Sequence, residues 1–247
     1  MKLFLAALIF LASACPAKAD GLDKALVSLT FDDAYKSVYE YAFPLLKEYG
    51  LKGTIFITTD WATNSNNNGF MGWNEIITLN QNGWEVGNHS KTHPDMRMLT
   101  DAEILHELAS AEAAFVKRGL FNVVAFAFPF GACDERVVNL IKSFGFIKSC
   151  REAPANGINK TYPFDRFRIQ SAPLDETVTF KAMRVMINEA ISDKDWLVLR
   201  MHNTAPQSAL PLLKRTVRYL YHMQKDQEME VVTVTDAVSR ILRLQLK

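Results

Sequence analysis

Short apolar runs rich in β-branched residues alternate with amphipathic stretches from residue 26 to residue 244, and this alternation is what most constrains the fold. Strand-length runs fall at 26–31, 54–58, 84–88, 123–128, 146–149, 166–169, 197–201 and 230–233. Helical periodicity occupies 38–49, 74–81, 101–117, 135–144, 178–191, 210–227 and 235–244. Consecutive strands joined through a helix pair in parallel, because a parallel crossover needs the length a helix supplies. Thr100-Asp101-Ala102-Glu103 is a capping box at one helix start, and Gly50, Gly83 and Gly145 stand where left-handed C-caps fall. We therefore expect one α/β domain, a (β/α) barrel that is complete or distorted; the spacing does not say whether it closes.

In such folds ligands bind at the C-terminal ends of the strands. Four strand ends carry polar or turn-forming residues: Thr30-Phe31-Asp32-Asp33, Asn88-His89-Ser90-Lys91-Thr92-His93, Pro129-Phe130-Gly131 and His202-Asn203. His89 and His93 are four apart, so on a helical turn their imidazoles would point the same way. Imidazole ligates zinc and similar metals, and a carboxylate would complete a three-ligand set. Ser90 and Pro94 exclude the long His-Glu-x-x-His protease helix. Asp32 and Asp33 could cap the following helix. In an extended strand they would face opposite ways, whereas at a turning strand end both could reach one cavity, one holding a metal and the other taking a proton. His106 and His222 lie in helices among charged neighbours and read as surface residues.

The net charge of +1 gives no basic field for nucleic acid. No stretch approaches the roughly 20 apolar residues of a membrane span. Residues 1–19 have the layout of a signal peptide: Lys2, an apolar run to Ser13, and Ala17-Lys18-Ala19 as a cleavage site before Asp20. Acylation at Cys15 is the competing reading, although Ala12 fits a lipobox poorly. Cleavage before Asp20 would export residues 20–247 to the periplasm or outside the cell. Cys133 and Cys150 would then remain, as one disulfide or as two buried thiols.

Leu29-Thr30-Phe31-Asp32-Asp33 resembles the first motif of the polysaccharide deacetylase family, the NodB homology domain of carbohydrate esterase family 4. His89-Ser90-Lys91-Thr92-His93 is similar to its second motif, Phe126-Ala127-Phe128-Pro129-Phe130-Gly131 to its third, and Leu199-Arg200-Met201-His202 to its fifth. The resemblance runs in order from about residue 25 to residue 242. It implies a hydrolase of C–N bonds other than peptide bonds, with Asp33, His89 and His93 holding a divalent metal, usually zinc, with cobalt also working. Asp32 would be the general base, His202 the general acid, and the N–H of Phe130 a donor to the oxyanion.

The chain departs from the family in two places. The third motif normally carries an arginine that pairs with the catalytic aspartate, but Ala127 stands there, and Phe130 replaces the usual tyrosine. The fourth motif is not evident. Asp193-Lys194-Asp195-Trp196 lies too late and reads as a turn, so Arg168 is the expected support for His202, with a surface salt bridge as the alternative. A bridge between Cys133 and Cys150 would brace the loop of Phe130. The resemblance implies N-deacetylation of an N-acetylglucosamine polymer or peptidoglycan. O-deacetylation of acetylxylan and a non-catalytic carbohydrate-binding relative are the alternatives. Trp61, Phe70 and Trp73 could stack on sugar rings or pack in the core, and oligomeric state is not legible.

Overall fold

A computed structural model describes residues 21–64, 69–153 and 157–246; the expected signal segment and most of the polar run at 64–68 lie outside them. The strands are β1 (Ala25–Phe31), β2 (Thr54–Ile57), β3 (Glu85–Asn88), β4 (Ala125–Ala127), β5 (Ser149–Arg151), β6 (Ile158–Asn159), β7 (Ala172–Pro173), β8 (Trp196–Met201) and β9 (Met229–Val231). The helices are α1 (Phe43–Glu48, led by a π-helical turn at Val38–Ala42), α2 (Thr59–Thr63), α3 (Trp73–Gln81), α4 (Asp101–Val116), α5 (Glu135–Phe144), α6 (Phe180–Asp193), α7 (Leu210–Lys225) and α8 (Val234–Leu244).

The sheet runs β5-β4-β3-β2-β1-β8-β6, with β9 beside the start of β1 and β7 beside the end of β8. Every pairing is parallel except β6 with β8. The segment from Arg166 to Leu174 draws the two sides together. Cys150 donates to the Arg166 carbonyl, Glu152 to that of Ile169, and Leu174 to that of Arg200 at 2.7 Å. The sheet thus curls into a distorted (β/α) barrel.

Alternation along β1 divides the core. Leu29 and Phe31 face the helices, packed with Val38, Leu46, Leu213 and Val217. Leu26 faces inward with Phe56, Ala125, Trp196 and Val198. At the N-terminal end of the strands α8 presents Val234, Ala237, Val238 and Ile241, spaced i, i+3, i+4, i+7, to the same inner cluster. The opposite end is left to polar side chains.

The predicted capping box forms: Thr100 N–H donates to Glu103 at 2.7 Å and Glu103 N–H to the Thr100 hydroxyl at 3.4 Å. Gly50, Gly83 and Gly145 have φ of 67°, 83° and 83°. Three expectations are corrected. The strand expected at 146–149 is β5, displaced toward the C-terminus, because Phe146 is exposed while Arg151 is buried. The run at 166–169 is largely turn, with one bridge from Ile169 to Arg151. The two-residue strands β6 and β7 and the short α2 were not expected.

Candidate active site

Asp32 and Asp33 sit where β1 ends, and neither caps the next helix, whose N-cap is Ser37. Asp33 and Ala34 adopt φ of 69° and 59°. This left-handed turn, costly for residues with a Cβ, breaks strand alternation and leaves both carboxyls near the histidines at the C-terminal end of the sheet. They enter different surroundings there.

Asp33 meets the two histidines. Its Oδ1 lies 3.5 Å from His89 Nε2 and 3.4 Å from His93 Nε2, and one ligand atom from each residue falls within 4.8 Å of the others. Asp33 Oδ1 is buried without a hydrogen-bond partner, so neither ring nitrogen satisfies it. His89 Nδ1 lies 2.7 Å from the Ala127 carbonyl. Donation to that carbonyl leaves Nε2 as a bare lone pair directed at the cluster. Burial pushes the His89 pKa down to about 3 and lowers that of His93, so both rings are neutral. Burial and the charge of Asp32 push the Asp33 carboxyl up to about 7. Two neutral imidazoles, one with its Nε2 lone pair bare, around an orphaned, destabilised carboxylate are the donor set a divalent cation satisfies, and the residues fit one.

The histidines do not share a helical turn, as their spacing suggested. Residues 89–93 form an irregular loop in which Ser90 and His93 take φ of 68° and 65°. Glu107 on α4, nearly buried, holds it: its carboxylate accepts the N–H groups of Lys91 and Thr92 at 2.9 and 2.8 Å and the Thr92 hydroxyl at 2.8 Å. Ser90 Oγ accepts the His93 N–H at 2.9 Å. The Trp61 ring covers His93 at 5.1 Å, and the Phe130 ring meets it edge-on at 4.6 Å.

Asp32 meets a guanidinium instead. Arg151 Nη2 donates to both Asp32 oxygens at 2.7 Å, while Nη1 reaches Ser171 Oγ at 3.2 Å. Arg151 is 1% exposed. Burial works to raise the Asp32 carboxyl, but Arg151, with His89, His202 and Arg200, more than offsets it, so Asp32 lies below the ordinary carboxylate value. Arg151 is the register partner of Ala127 on the neighbouring strand. The guanidinium missing from the third motif thus arrives from β5, which corrects the expectation that Asp32 lacks one. The truncated strand at 146–149 hid it.

His202 Nε2 stands 3.8 Å from Asp32 Oδ2. Burial lowers the His202 pKa, with Asp32 and Asp175 pulling the other way. Its loop is tied to the β1 loop through Ser37, whose hydroxyl donates to Asn203 Oδ1 at 2.8 Å and accepts the Thr204 N–H at 3.0 Å. Arg168 is not beside His202. It pairs with Glu135 at 2.6 Å and Glu152 at 3.4 Å, the salt-bridge alternative. Cys133 and Cys150 are free thiols; Cys133 Sγ donates to Glu152 at 3.2 Å and receives Arg168 Nη1 at the same distance. Phe130 exposes 68% of its surface with φ 59°, on a loop closed by the Gly131 N–H to Phe128 carbonyl bond of 2.8 Å. Trp73 is packed, with Arg118 over its ring at 3.9 Å and Phe115 at 5.8 Å. His106 and His222 are exposed on their helices. Among the described residues no helix is long and apolar enough to cross a membrane.

A family model described as polysaccharide deacetylase matches residues 19–148. A putative polysaccharide deacetylase, YxkH of Bacillus subtilis, is 22% identical over 147 residues, 60% of this chain and 52% of the relative. A poly-β-1,6-N-acetyl-D-glucosamine N-deacetylase of Staphylococcus aureus is 28% identical over 133 residues, 49% of this chain and 46% of the relative. The chain thus spans about half the length of these curated relatives. Two solved structures share the fold. The Xyl-CE4 domain of a multidomain xylanase from the hindgut metagenome of Trinervitermes trinervoides matches with TM-score 0.61 and 19% identity over 88% of this chain and 91% of that one. A CE4 family pseudoenzyme from Bacillus anthracis matches with TM-score 0.61 and 20% identity over 87% and 66%. With the family model matching more than half of its length, the chain belongs to the polysaccharide deacetylase family.

Proposed function

We propose that this chain is an exported, metal-dependent deacetylase of an N-acetylated polysaccharide, an N-acetylglucosamine polymer or peptidoglycan, and that residues 1–19 direct its export to the periplasm or beyond. The observation that carries the reading is the separation of the two aspartates. Asp33 faces His89 and His93, while Asp32 faces Arg151 and His202.

A divalent cation held by Asp33, His89 and His93, zinc in our reading, supplies Lewis acidity to an acetyl carbonyl and lowers the pKa of water. Asp32, kept ionised by Arg151, takes the proton of the attacking water. His202 gives a proton to the departing nitrogen. The 3.8 Å between Asp32 and His202 keeps the proton taken by one within reach of the other. The Phe130 N–H donates to the carbonyl oxygen as it gains charge, a contact worth about 3 kcal/mol in comparable sites.

The test is acetate release by residues 20–247, stripped of metal and reloaded with zinc or cobalt, from N-acetylglucosamine oligomers, peptidoglycan and acetylxylan. The proposal requires acetate from an N-acetylated polymer. Acetate from acetylxylan alone makes the protein an O-deacetylase, and binding without acetate makes it a non-catalytic relative.

A further inference from the structure

Helices α6 and α7 pack against each other outside the barrel, and their exposed positions concentrate positive charge. Lys181 and Arg184 lie on α6; Lys214, Arg215 and Arg218 lie on α7. No acid occurs in α7, and none in α6 before Glu189. In a chain of net charge +1 this is a marked asymmetry. Between the helices runs a groove of about 340 Å³ lined by Phe180, Lys181, Arg184, Val185, Asn188 and Arg215.

The guanidiniums of the groove are held by rings. Arg215 lies 4.3 Å from the Phe180 centroid and Arg184 5.1 Å from that of Tyr219. The Tyr219 hydroxyl donates to Asn188 Oδ1 at 2.6 Å, which fixes that ring in turn. Arg97, Arg136, Arg151, Arg168 and Arg240 each meet a carboxylate, whereas among the described residues Arg118, Arg166, Arg200 and Arg243 meet none. Among the described residues the five cations of this patch meet none. A guanidinium stacked on a ring keeps its N–H edge free and oriented for a carboxylate or phosphate oxygen. Unpaired cations also repel one another, and a bound polyanion relieves that repulsion.

We propose that this groove binds an acidic polysaccharide through its anionic groups, separately from the catalytic cavity. A concave site offering ring edges and an amide beside the cations suits a chain of acidic sugars. A bilayer surface would call for several projecting apolar side chains, and of the groove residues Val185 alone offers one, 58% exposed.

The experiment titrates the purified protein with fluorescently labelled polygalacturonate oligomers at low and high salt. Saturable binding that weakens with salt is expected. Arg184→Gln/Arg215→Gln is expected to weaken it by at least about tenfold, the scale of one charge-assisted contact. Lys52→Gln/Lys117→Gln, the same change in net charge on other exposed residues, is expected to leave it unchanged. Both double variants are expected to release acetate from short N-acetylglucosamine oligomers like the parent. Because binding is read without turnover, its outcome is independent of the deacetylase reading. The charge-keeping pair Arg184→Lys/Arg215→Lys, expected to weaken binding several-fold, guards against a glutamine variant that does not fold. Absence of saturable binding, undiminished binding by the lysine pair, or equal loss in the Lys52/Lys117 control overturns the proposal. So does tighter, Arg184- and Arg215-dependent binding to phosphatidylglycerol vesicles than to the glycan.

Discussion

Replacing Arg151 with Met, similar in length and uncharged, isolates what the guanidinium does. Arg151 and Asp32 are 1% and 3% exposed, and Nη2 lies 2.7 Å from both carboxylate oxygens. Removing one partner of a buried ion pair typically destabilises by about 3–5 kcal/mol, which for a domain of this size lowers Tm by roughly 10 °C. Burial already works to raise the Asp32 carboxyl, and Arg151 is the first of the charges opposing it. Without Arg151 the carboxylate relieves its isolation by keeping a proton, so the base is lost at neutral pH. Acetate release should then fall by about 10²–10⁴, and what remains should need higher pH. The stability effect has a defined window. Asp32 in the fold lies below its ordinary 3.8, so the pair's contribution is present above that pH and is lost as acid protonates the folded carboxyl. The penalty of Arg151→Met should therefore shrink as pH falls from neutral, where the variant's Asp32 already holds its proton, and shrink further below about pH 4 as the parent loses the pair. Asp32→Asn/Arg151→Met, with both charges gone, should recover most of the stability and none of the activity. Ala127→Arg/Arg151→Ala moves the guanidinium across the β4–β5 register pair and should restore part of the activity. Thermal melting and pH–rate profiles of the three variants beside the parent decide the matter. An Arg151→Met protein that melts and titrates like the parent refutes the reasoning.

Three further outcomes follow from the site. With the Asp33 carboxyl near 7 in the metal-free protein, a cation must displace a proton below that pH, so affinity should fall about tenfold per pH unit between 7 and 5.5; chelator competition showing flat affinity sinks this. Glu107→Ala removes three bonds that hold residues 91 and 92, and should weaken metal binding about 10–100-fold, as loss of a ligand's support does elsewhere; unchanged affinity means the loop stands without it. Gly131 has φ 63° and its added Cβ would meet Ala153 Cβ at 1.8 Å. Gly131→Ala should therefore displace the Phe130 loop and reduce kcat while leaving metal stoichiometry at the parent value, and normal kcat counts against a role for that loop.

The parts of the fold legible in the sequence are those where local signals agree. Helix α5 is legible to the residue because its periodicity and the glycine after it agree with the structure, in which Val137, Val138 and Ile141 form the buried stripe, Asp134 caps the start and Gly145 ends it with φ 83°. Strands β6 and β7 are two residues each, too short for any period. In the site, strand-end placement singled out Asp32, Asp33, His89, His93 and His202, which the fold brings to one end of the sheet, Asp33 beside the two ligand-spaced histidines and Asp32 3.8 Å from His202. Their geometry was less legible, because left-handed turns at Asp33 and Ser90, not helix spacing, aim the side chains. Arg151 escaped because an apolar pattern ends a strand at its last hydrophobic residue, so a charged residue buried by one specific partner is invisible to it. Glu107 escaped for a related reason, as a helical acid next to exposed His106 whose burial depends on bonds to a loop distant in sequence.

The division of labour between adjacent aspartates is the centre of the account, and metal stoichiometry measured beside acetate release tests it. Asp32→Asn should bind one divalent ion per chain like the parent and release no acetate, whereas Asp33→Asn should lose the ion and the activity together. An Asp32→Asn protein that no longer holds the ion, or an Asp33→Asn protein that holds it at parental affinity, would contradict the assignment.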